Sequence, residues 1–300
     1  PYASPEANRR HWQKVPVPGV WQKYGERYDI YEGVCWFARE FEVDSLAPGF
    51  SARLCFDGVN YLARVFLNGV EIGQHETGYT AFTLPATGQL KVGVNHLAVM
   101  VDNRAVVTQW PPVLGYFNYG GIHRDVRLEI GEGLCLENVQ LGSAGAVGDA
   151  NRLKVRGAVS GLVESAIDKD NGGLRPVLKV QVDCNGVTGY AEIGPDGSFE
   201  AELVLPGVRS WSPEEPVLYP VTVSLLRDGE KEDVFEAMYG FKRIEIRENK
   251  IYLNGNPLRV KGICYVYDSS VSGLVMTQIQ VEEDVKLMKE LGCNAVRCHY

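Results

Sequence analysis

The chain has 300 residues, of which 45% are hydrophobic and 23% are charged, and its formal net charge is −8. These values are typical of an ordinary globular protein of two or three domains. The negative charge gives no electrostatic reason to expect nucleic acid or an anionic membrane as a partner. The sequence contains no apolar run of about 18 residues, the length of a membrane-spanning helix.

Seven cysteines are scattered along the chain, an odd number and without a Cys-x-x-Cys pair. This usage argues against a disulfide framework and a zinc site, so we predict no metal and no cofactor. It favours free thiols in a reducing, cytoplasmic compartment over secretion. The start, Pro1-Tyr2-Ala3, does not allow a signal sequence to be judged.

Strand signals dominate as far as about residue 260. Arg64 to Leu67 and Val70 to Ile72 flank Asn68-Gly69, which predicts a hairpin with a two-residue turn. Similar turn dipeptides recur along the chain between alternating apolar runs. Many short strands with frequent turns indicate antiparallel sandwiches.

The strand pattern is interrupted near residues 131–133, which are Gly-Glu-Gly. We therefore predict a first sandwich over 1–132 and a second, of immunoglobulin-like size, over 133–242. A third region, 243–300, reads as strand, helix and strand. In it, 258–265 and 294–299 are predicted strands, and Thr277 with Gln280 forms a capping-box pattern at a helix start. Such a βαβ unit implies parallel strands.

Several segments in order resemble one enzyme family. They are residues 12–21, 36–41 and 117–126 in the first sandwich, the run Trp-Ser-Pro-Glu-Glu-Pro at 211–216, and the end of the chain, Asn-Ala-Val-Arg-Cys-His-Tyr. Together they are similar to glycoside hydrolase family 2, which includes β-galactosidases and β-glucuronidases. The resemblance implies a mainly β protein: a jelly-roll sandwich, an immunoglobulin-like sandwich, and the start of a (β/α)₈ barrel.

The same resemblance implies a retaining mechanism with two catalytic glutamates on later barrel strands, beyond Tyr300. No catalytic residue is therefore assigned within the chain, and these 300 residues alone are expected to be inactive. Glu282 and Glu283 lie on the predicted helix, and we interpret them as an exposed face.

Arg297 and His299 are the strongest candidates for substrate-binding residues. Alternation places them on one face of the last strand, at its carboxyl end. The family arginine resembles a group that orients the nucleophilic carboxylate, and the histidine resembles a substrate contact. Here the run is Arg-x-His-Tyr, one residue shorter than the family's Arg-x-x-His-Tyr. An Arg paired with any nearby acid, or a packed His, is the alternative.

Further candidates follow the first barrel strand. Where many family members have His-Glu-Asp, this chain has Val266-Tyr267-Asp268, so Asp268 and Tyr267 are the predicted sugar contacts. The aspartate that β-glucuronidases place before Phe-Phe-Asn-Tyr is absent, and Tyr116 stands near that position. Tyr116 belongs to an aromatic group that forms either a sugar-stacking platform or a hydrophobic plug. The sugar is therefore left open.

The sequence thus predicts the N-terminal part of a retaining exo-β-glycosidase, with a galactoside-like or glucuronide-like carbohydrate as substrate. Homo-oligomerisation is left open. The alternative is a carbohydrate-binding or interaction module of two sandwiches without chemistry of its own. A parallel crossover favours the enzyme, since a binding array has no need of one.

Overall fold

A computed structural model describes residues 2–104, 118–131, 133–143, 151–161 and 177–298. The chain forms two compact units, Pro1–Ile130 with Lys261–Tyr300, and Gly131–Val260. The predicted domain limits, at 132/133 and 242/243, stay a prediction, because a division into compact units does not identify the domains of a chain.

Antiparallel sheets build the larger part of the first unit. Its strands are β1 (Val34–Val43), β2 (Ser51–Phe56), β3 (Val59–Asn60), β4 (Leu62–Leu67), β5 (Val70–Glu76), β6 (Phe82–Pro85), β7 (Gly93–Asp102), β8 (Gly121–Ile122) and β9 (Val126–Gly131). The described strands pair in the orders β1-β7-β4-β5, β6-β2-β9 and β3-β8. Short 3₁₀ turns at Trp21–Lys23 and Glu26–Tyr28 precede β1.

The core of this sandwich comes from alternating residues on facing sheets. On β4, Ala63, Val65 and Leu67 are fully buried, and on β2, Leu54 and Phe56 meet them. Each large apolar side chain removed from water contributes about 1.5–3 kcal/mol, and this burial drives the two sheets together.

The hairpin predicted around Asn68-Gly69 is confirmed. β4 pairs with β5 so that Leu67 faces Val70. Asn68 and Gly69 have φ angles of 52° and 87°, which a two-residue turn requires and which Asn and Gly accept most readily.

The second unit is also a sandwich. Its strands are β10 (Cys135–Ser143), β11 (Arg152–Ser160), β12 (Leu178–Cys184), β13 (Val187–Ala191), β14 (Ser198–Val204), β15 (Tyr219–Arg227), β16 (Glu230–Tyr239), β17 (Ile244–Arg247), β18 (Lys250–Leu253) and β19 (Asn256–Pro257). The described strands pair as β10-β11-β14, β13-β12-β15-β16 and β17-β18-β19. Val221, Val223 and Leu225 alternate into a core opposite Leu153 and Val155.

A parallel unit follows within the first compact unit. It consists of β20 (Gly262–Tyr265), helix α1 (Gln278–Glu290) and β21 (Ala295–Cys298). β20 and β21 pair in parallel, with Cys264 opposite Arg297. The predicted crossover is therefore present, and Thr277 and Gln280 form the capping box that the sequence indicates.

The predicted strand over 258–265 is longer than the observed one. β20 starts only at Gly262, because the amide of Leu258 donates to the carbonyl of Ile251 and is occupied in the preceding hairpin. The residue before β20, Lys261, is bonded to the residue before β21, because its amide donates to Asn294 Oδ1 at 2.8 Å.

Candidate functional site

The segment that begins at Asn118 is fixed by buried amide side chains. Gln22 donates from Nε2 to the carbonyl of Asn118 at 3.1 Å and accepts from the amide of Gly120 at 3.0 Å. Asn103 donates to the same Asn118 carbonyl at 2.7 Å. Asn60 donates to the carbonyl of Tyr119. Since buried polar groups require partners, these bonds hold the backbone around Tyr119 in one conformation.

Two glycines let this segment approach its neighbours closely. A Cβ on Gly120 would lie 2.0 Å from the ring of Trp21. Gly121 has φ +140°, and a Cβ there would lie 2.6 Å from the carbonyl oxygen of Gly19. Only glycine fits such positions, so the Gly-Gly pair serves packing.

His123 and Arg124 complete the frame. His123 is 3% exposed, and its Nε2 donates to the carbonyl of Gly78 at 2.7 Å. Burial lowers the pKa of His123 to about 4, with a smaller contribution from the charge of Arg124. Arg124 donates to the carbonyl of Tyr79 at 3.0 Å. Both side chains thus hold the loop around residues 78 and 79.

Asp268, a predicted sugar contact, accepts a hydrogen bond from the hydroxyl of Tyr119 at 3.0 Å. Asp268 is exposed, whereas Tyr119 is only 6% exposed. Burial, the hydrogen bond to Asp268 and the charge of Asp268 together raise the pKa of Tyr119 to about 12. The phenol therefore stays protonated and remains a donor at neutral pH.

The loop after Asp268 packs on the same tyrosine. Ser269 and Gly273 exchange backbone hydrogen bonds of 2.9 and 2.8 Å, which closes a tight turn. Gly273 has φ +63°, and a Cβ there would lie 2.9 Å from Cε1 of Tyr119. Lys23 Nζ adds a bond of 2.9 Å to the carbonyl of Ser270. A small buried cluster of Val20, Tyr119 and Leu274 seals this contact.

Tyr267 is half-buried, and its hydroxyl donates to the carbonyl of Met276 at 3.2 Å. Its ring lies edge-on to that of Tyr265, with centroids 6.3 Å apart. Tyr265 donates to the carboxylate of Asp284 on α1, and burial together with this acceptor raises its pKa to about 12. The two tyrosines thus tie the loop and the helix to the end of β20.

Arg297 is exposed near the carboxyl end of β21, and its Nη1 donates to Cys264 Sγ at 3.4 Å. Because β20 and β21 are parallel, Arg297 and Asp268 lie at the same edge of the sheet. Barrel active sites are built at this edge. His299 and Tyr116 lie outside the described residues. Glu282 and Glu283 are exposed on α1.

Sequence reasoning did not find the partner of Asp268 or the role of Gln22. Tyr119 is separated from Asp268 by 149 positions, and Gln22 from Gly120 by 98. The sequence did show a family-like motif around Asn118-Tyr119, but that motif does not indicate that Tyr119 bonds to Asp268.

Within the described ranges, no helix combines the length and the hydropathy that a membrane crossing requires. Nor do those ranges bring three His, Cys, Asp or Glu side chains together in a possible metal site.

The fold and this site define a sandwich protein joined to the beginning of a parallel β/α unit, with polar side chains at its carboxyl edge. Comparison of the sequence with known families gives three matches in order. Residues 24–130 match "Glycosyl hydrolases family 2, sugar binding domain", residues 150–242 match "Glycosyl hydrolases family 2", and residues 244–300 match "Glycosyl hydrolases family 2, TIM barrel domain". The chain belongs to glycosyl hydrolase family 2, and the predicted jelly-roll, immunoglobulin-like and barrel-start architecture is confirmed.

Curated relatives carry more than one activity. The chain is 29% identical over 317 residues to a β-glucuronidase of Bacteroides fragilis, covering 96% of this chain and 43% of that protein. It is also 29% identical over 308 residues to a β-galactosidase of Thermoanaerobacter pseudethanolicus, covering 97% and 40%. The chain thus spans less than half of the length of these relatives.

A solved structure with a similar fold is a β-galacturonidase from Eisenbergiella tayi bound to galacturonate. It superposes with a TM-score of 0.82 at 30% identity, covering 96% of this chain and 50% of that one.

Proposed function

We propose that the full-length protein is a retaining exo-β-glycosidase that removes a terminal sugar from β-glycosides. The observation that carries the proposal is the β20–α1–β21 unit, which presents Asp268 and Arg297 at the carboxyl edge of parallel strands. Barrel enzymes build their active sites at this edge. The family membership and the hydrolase relatives support the same reading.

In the proposed reaction, one glutamic acid protonates the leaving oxygen and a second glutamate attacks the anomeric carbon. The two carboxyl groups stand about 5–5.5 Å apart, and water then releases the sugar from the covalent intermediate. We place both glutamates on barrel strands after Tyr300.

Arg297 would orient the nucleophilic glutamate. A guanidinium has five N–H donors in a planar fork and binds a carboxylate through two parallel hydrogen bonds. The bond from Nη1 to Cys264 engages only one of those donors, and sulfur is a weak acceptor. The exposed guanidinium therefore keeps donors for a carboxylate on a neighbouring strand.

The proposed substrate is a terminal β-galactoside or β-hexuronide. Asp268 supplies acceptor oxygens for pyranose hydroxyls, and Tyr267 lies beside it in the same loop. His299 and Tyr116 are proposed as further contacts. Sites that hydrogen-bond a sugar hydroxyl discriminate strongly against analogues that leave their polar groups unpaired, so one glycoside is expected to dominate.

The test is a panel of p-nitrophenyl β-glycosides, comprising the galactoside, glucuronide, galacturonide and mannoside, assayed with the full-length protein. We expect hydrolysis of a galactoside or hexuronide, and NMR of the fresh product should show the β-anomer first. The 300-residue chain, as the matched control, should be inactive. Absence of hydrolysis across the panel would refute the activity, and an initial α-anomer would refute retention.

A further inference from the structure

Tyr119 and Asp268 join two parts of the first compact unit that are far apart in sequence. Tyr119 lies in the segment that leads into β8 of the sandwich, and Asp268 follows β20 of the parallel unit. The 3.0 Å hydrogen bond between them joins the buried side chain of Tyr119 to the exposed side chain of Asp268. One member is held rigidly, and the other faces solvent.

The tyrosine is fixed from several directions. Asn60 holds its carbonyl, Gln22 holds the amide that follows, and Val20 and Leu274 pack on its side chain. A buried phenol in such a frame has little freedom to move. An exposed aspartate, by contrast, samples several rotamers unless a partner selects one.

Among the described residues, neither Lys23 nor Arg124 supplies that partner. Lys23 donates to the carbonyl of Ser270, and Arg124 donates to the carbonyls of Tyr79 and Asp57. The tyrosine hydroxyl donates to Oδ1 of Asp268. This bond engages one of the two carboxylate oxygens and leaves the second as an acceptor.

We propose that Tyr119 is a positioning residue for substrate recognition. It holds Asp268 in the rotamer in which the second carboxylate oxygen accepts a hydrogen bond from a hydroxyl of the terminal pyranose. The inference rests on the proposed glycosidase function, and it assigns to the sandwich a part in building the sugar site through a side chain that does not touch the sugar.

The test is a double-mutant cycle in the full-length protein with Tyr119→Phe, Asp268→Ala and the double variant. With the glycoside that the panel selects, Tyr119→Phe should raise KM by about tenfold and change kcat by less than about twofold. The reason is that the hydrogen bond between the sugar hydroxyl and Asp268 is weakened equally in the ground state and in the transition state. In the Asp268→Ala background the same change should have no further effect, because residues that act through one contact are non-additive.

Tyr24→Phe is the matched control. The Tyr24 hydroxyl also donates to a protein acceptor, the carbonyl of Pro16 at 2.7 Å, and it lies in the same sandwich. Its removal should leave KM unchanged. A purely structural role of Tyr119 would instead give a loss that persists when Asp268 is alanine, and that result would overturn the proposal.

A second arm needs no catalysis. Binding of free galactose, glucuronic acid and galacturonic acid to the same variants is measured by calorimetry. If the wild type binds a sugar but hydrolyses no glycoside, the activity is refuted, and weaker binding by Tyr119→Phe still supports positioning. Equal binding by the wild type and Tyr119→Phe overturns the positioning role, and absence of both binding and hydrolysis overturns both proposals.

Discussion

His123 makes the stability of the first unit depend on pH in a defined window. Its ring is 3% exposed and donates to the carbonyl of Gly78, beside the charge of Arg124 and 5.7 Å from the ring of Tyr79. Burial lowers its pKa from 6.5 to about 4. As the pH falls below 6.5, the unfolded chain binds a proton at this site before the folded chain does, so the folded state loses stability.

The magnitude follows from the difference between the two pKa values. About 2.5 pH units separate 6.5 from about 4, and each unit corresponds to about 1.4 kcal/mol, so the full loss is about 3 kcal/mol. Of this loss in the free energy of unfolding, about 2 kcal/mol is expected between pH 7 and pH 5. Asp102 and Glu129 also have lowered pKa values, from 3.8 and 4.5, because of bonds to Arg104 and Arg53. Their stabilisation is lost only at lower pH.

The perturbation is His123→Gln, which keeps a donor for Gly78 and removes the titration. Urea unfolding followed by tryptophan fluorescence at pH 7 and pH 5 should show that the wild type loses about 2 kcal/mol more than the variant. His11→Gln, at an exposed position, is the control and should behave as the wild type. Hydrogen–deuterium exchange of the imidazole, read by mass spectrometry, measures the pKa of His123 directly.

Equal pH dependence of the wild type and His123→Gln would refute this reasoning, as would an exchange pKa near 6.5. Either result would mean that the ring is hydrated or that the unfolded chain keeps a similar environment around it.

Two further predictions concern the supports of the site. Gln22→Leu should lower the free energy of unfolding of the first unit by about 3 kcal/mol, because it leaves the amide of Gly120 without its acceptor. In urea unfolding, the exposed control Gln74→Leu should change it by no more than about 0.5 kcal/mol; equal effects would contradict the burial argument. Thr277→Ala should destabilise the start of α1 by about 1 kcal/mol through loss of the capping box. Amide exchange in the first turn should then accelerate, and unchanged exchange would show that packing, not the cap, fixes the helix start.

Local chemistry made much of the fold predictable from the sequence. The Asn68-Gly69 hairpin depends on two residues that accept positive φ, and the start of α1 depends on Thr277 and Gln280, three positions apart. The alternation of Val221, Val223 and Leu225 likewise reports which side of a strand is buried. Each feature is decided by residues within a few positions of one another, so a pattern can reveal it.

The start of β20 was not predictable in this way. Residues 258–265 have a continuous strand pattern, but the amide of Leu258 donates to the carbonyl of Ile251. Pairing with the parallel strand β21 begins only at Gly262, opposite Ala295. Competition between two possible partners decided where the strand begins, and intrinsic propensity does not contain that information.

The sequence by itself determined a chain of sandwiches followed by a parallel crossover, and it drew attention to Asp268 and Arg297 at the ends of barrel strands. Only the tertiary structure decided that Tyr119 reaches Asp268 and that Gln22 holds the backbone beneath it. The physical reason is that turns and caps are settled by steric limits and hydrogen bonds among neighbours in sequence. Contacts across about a hundred positions exist only after burial of apolar surface has brought the sheets and loops together.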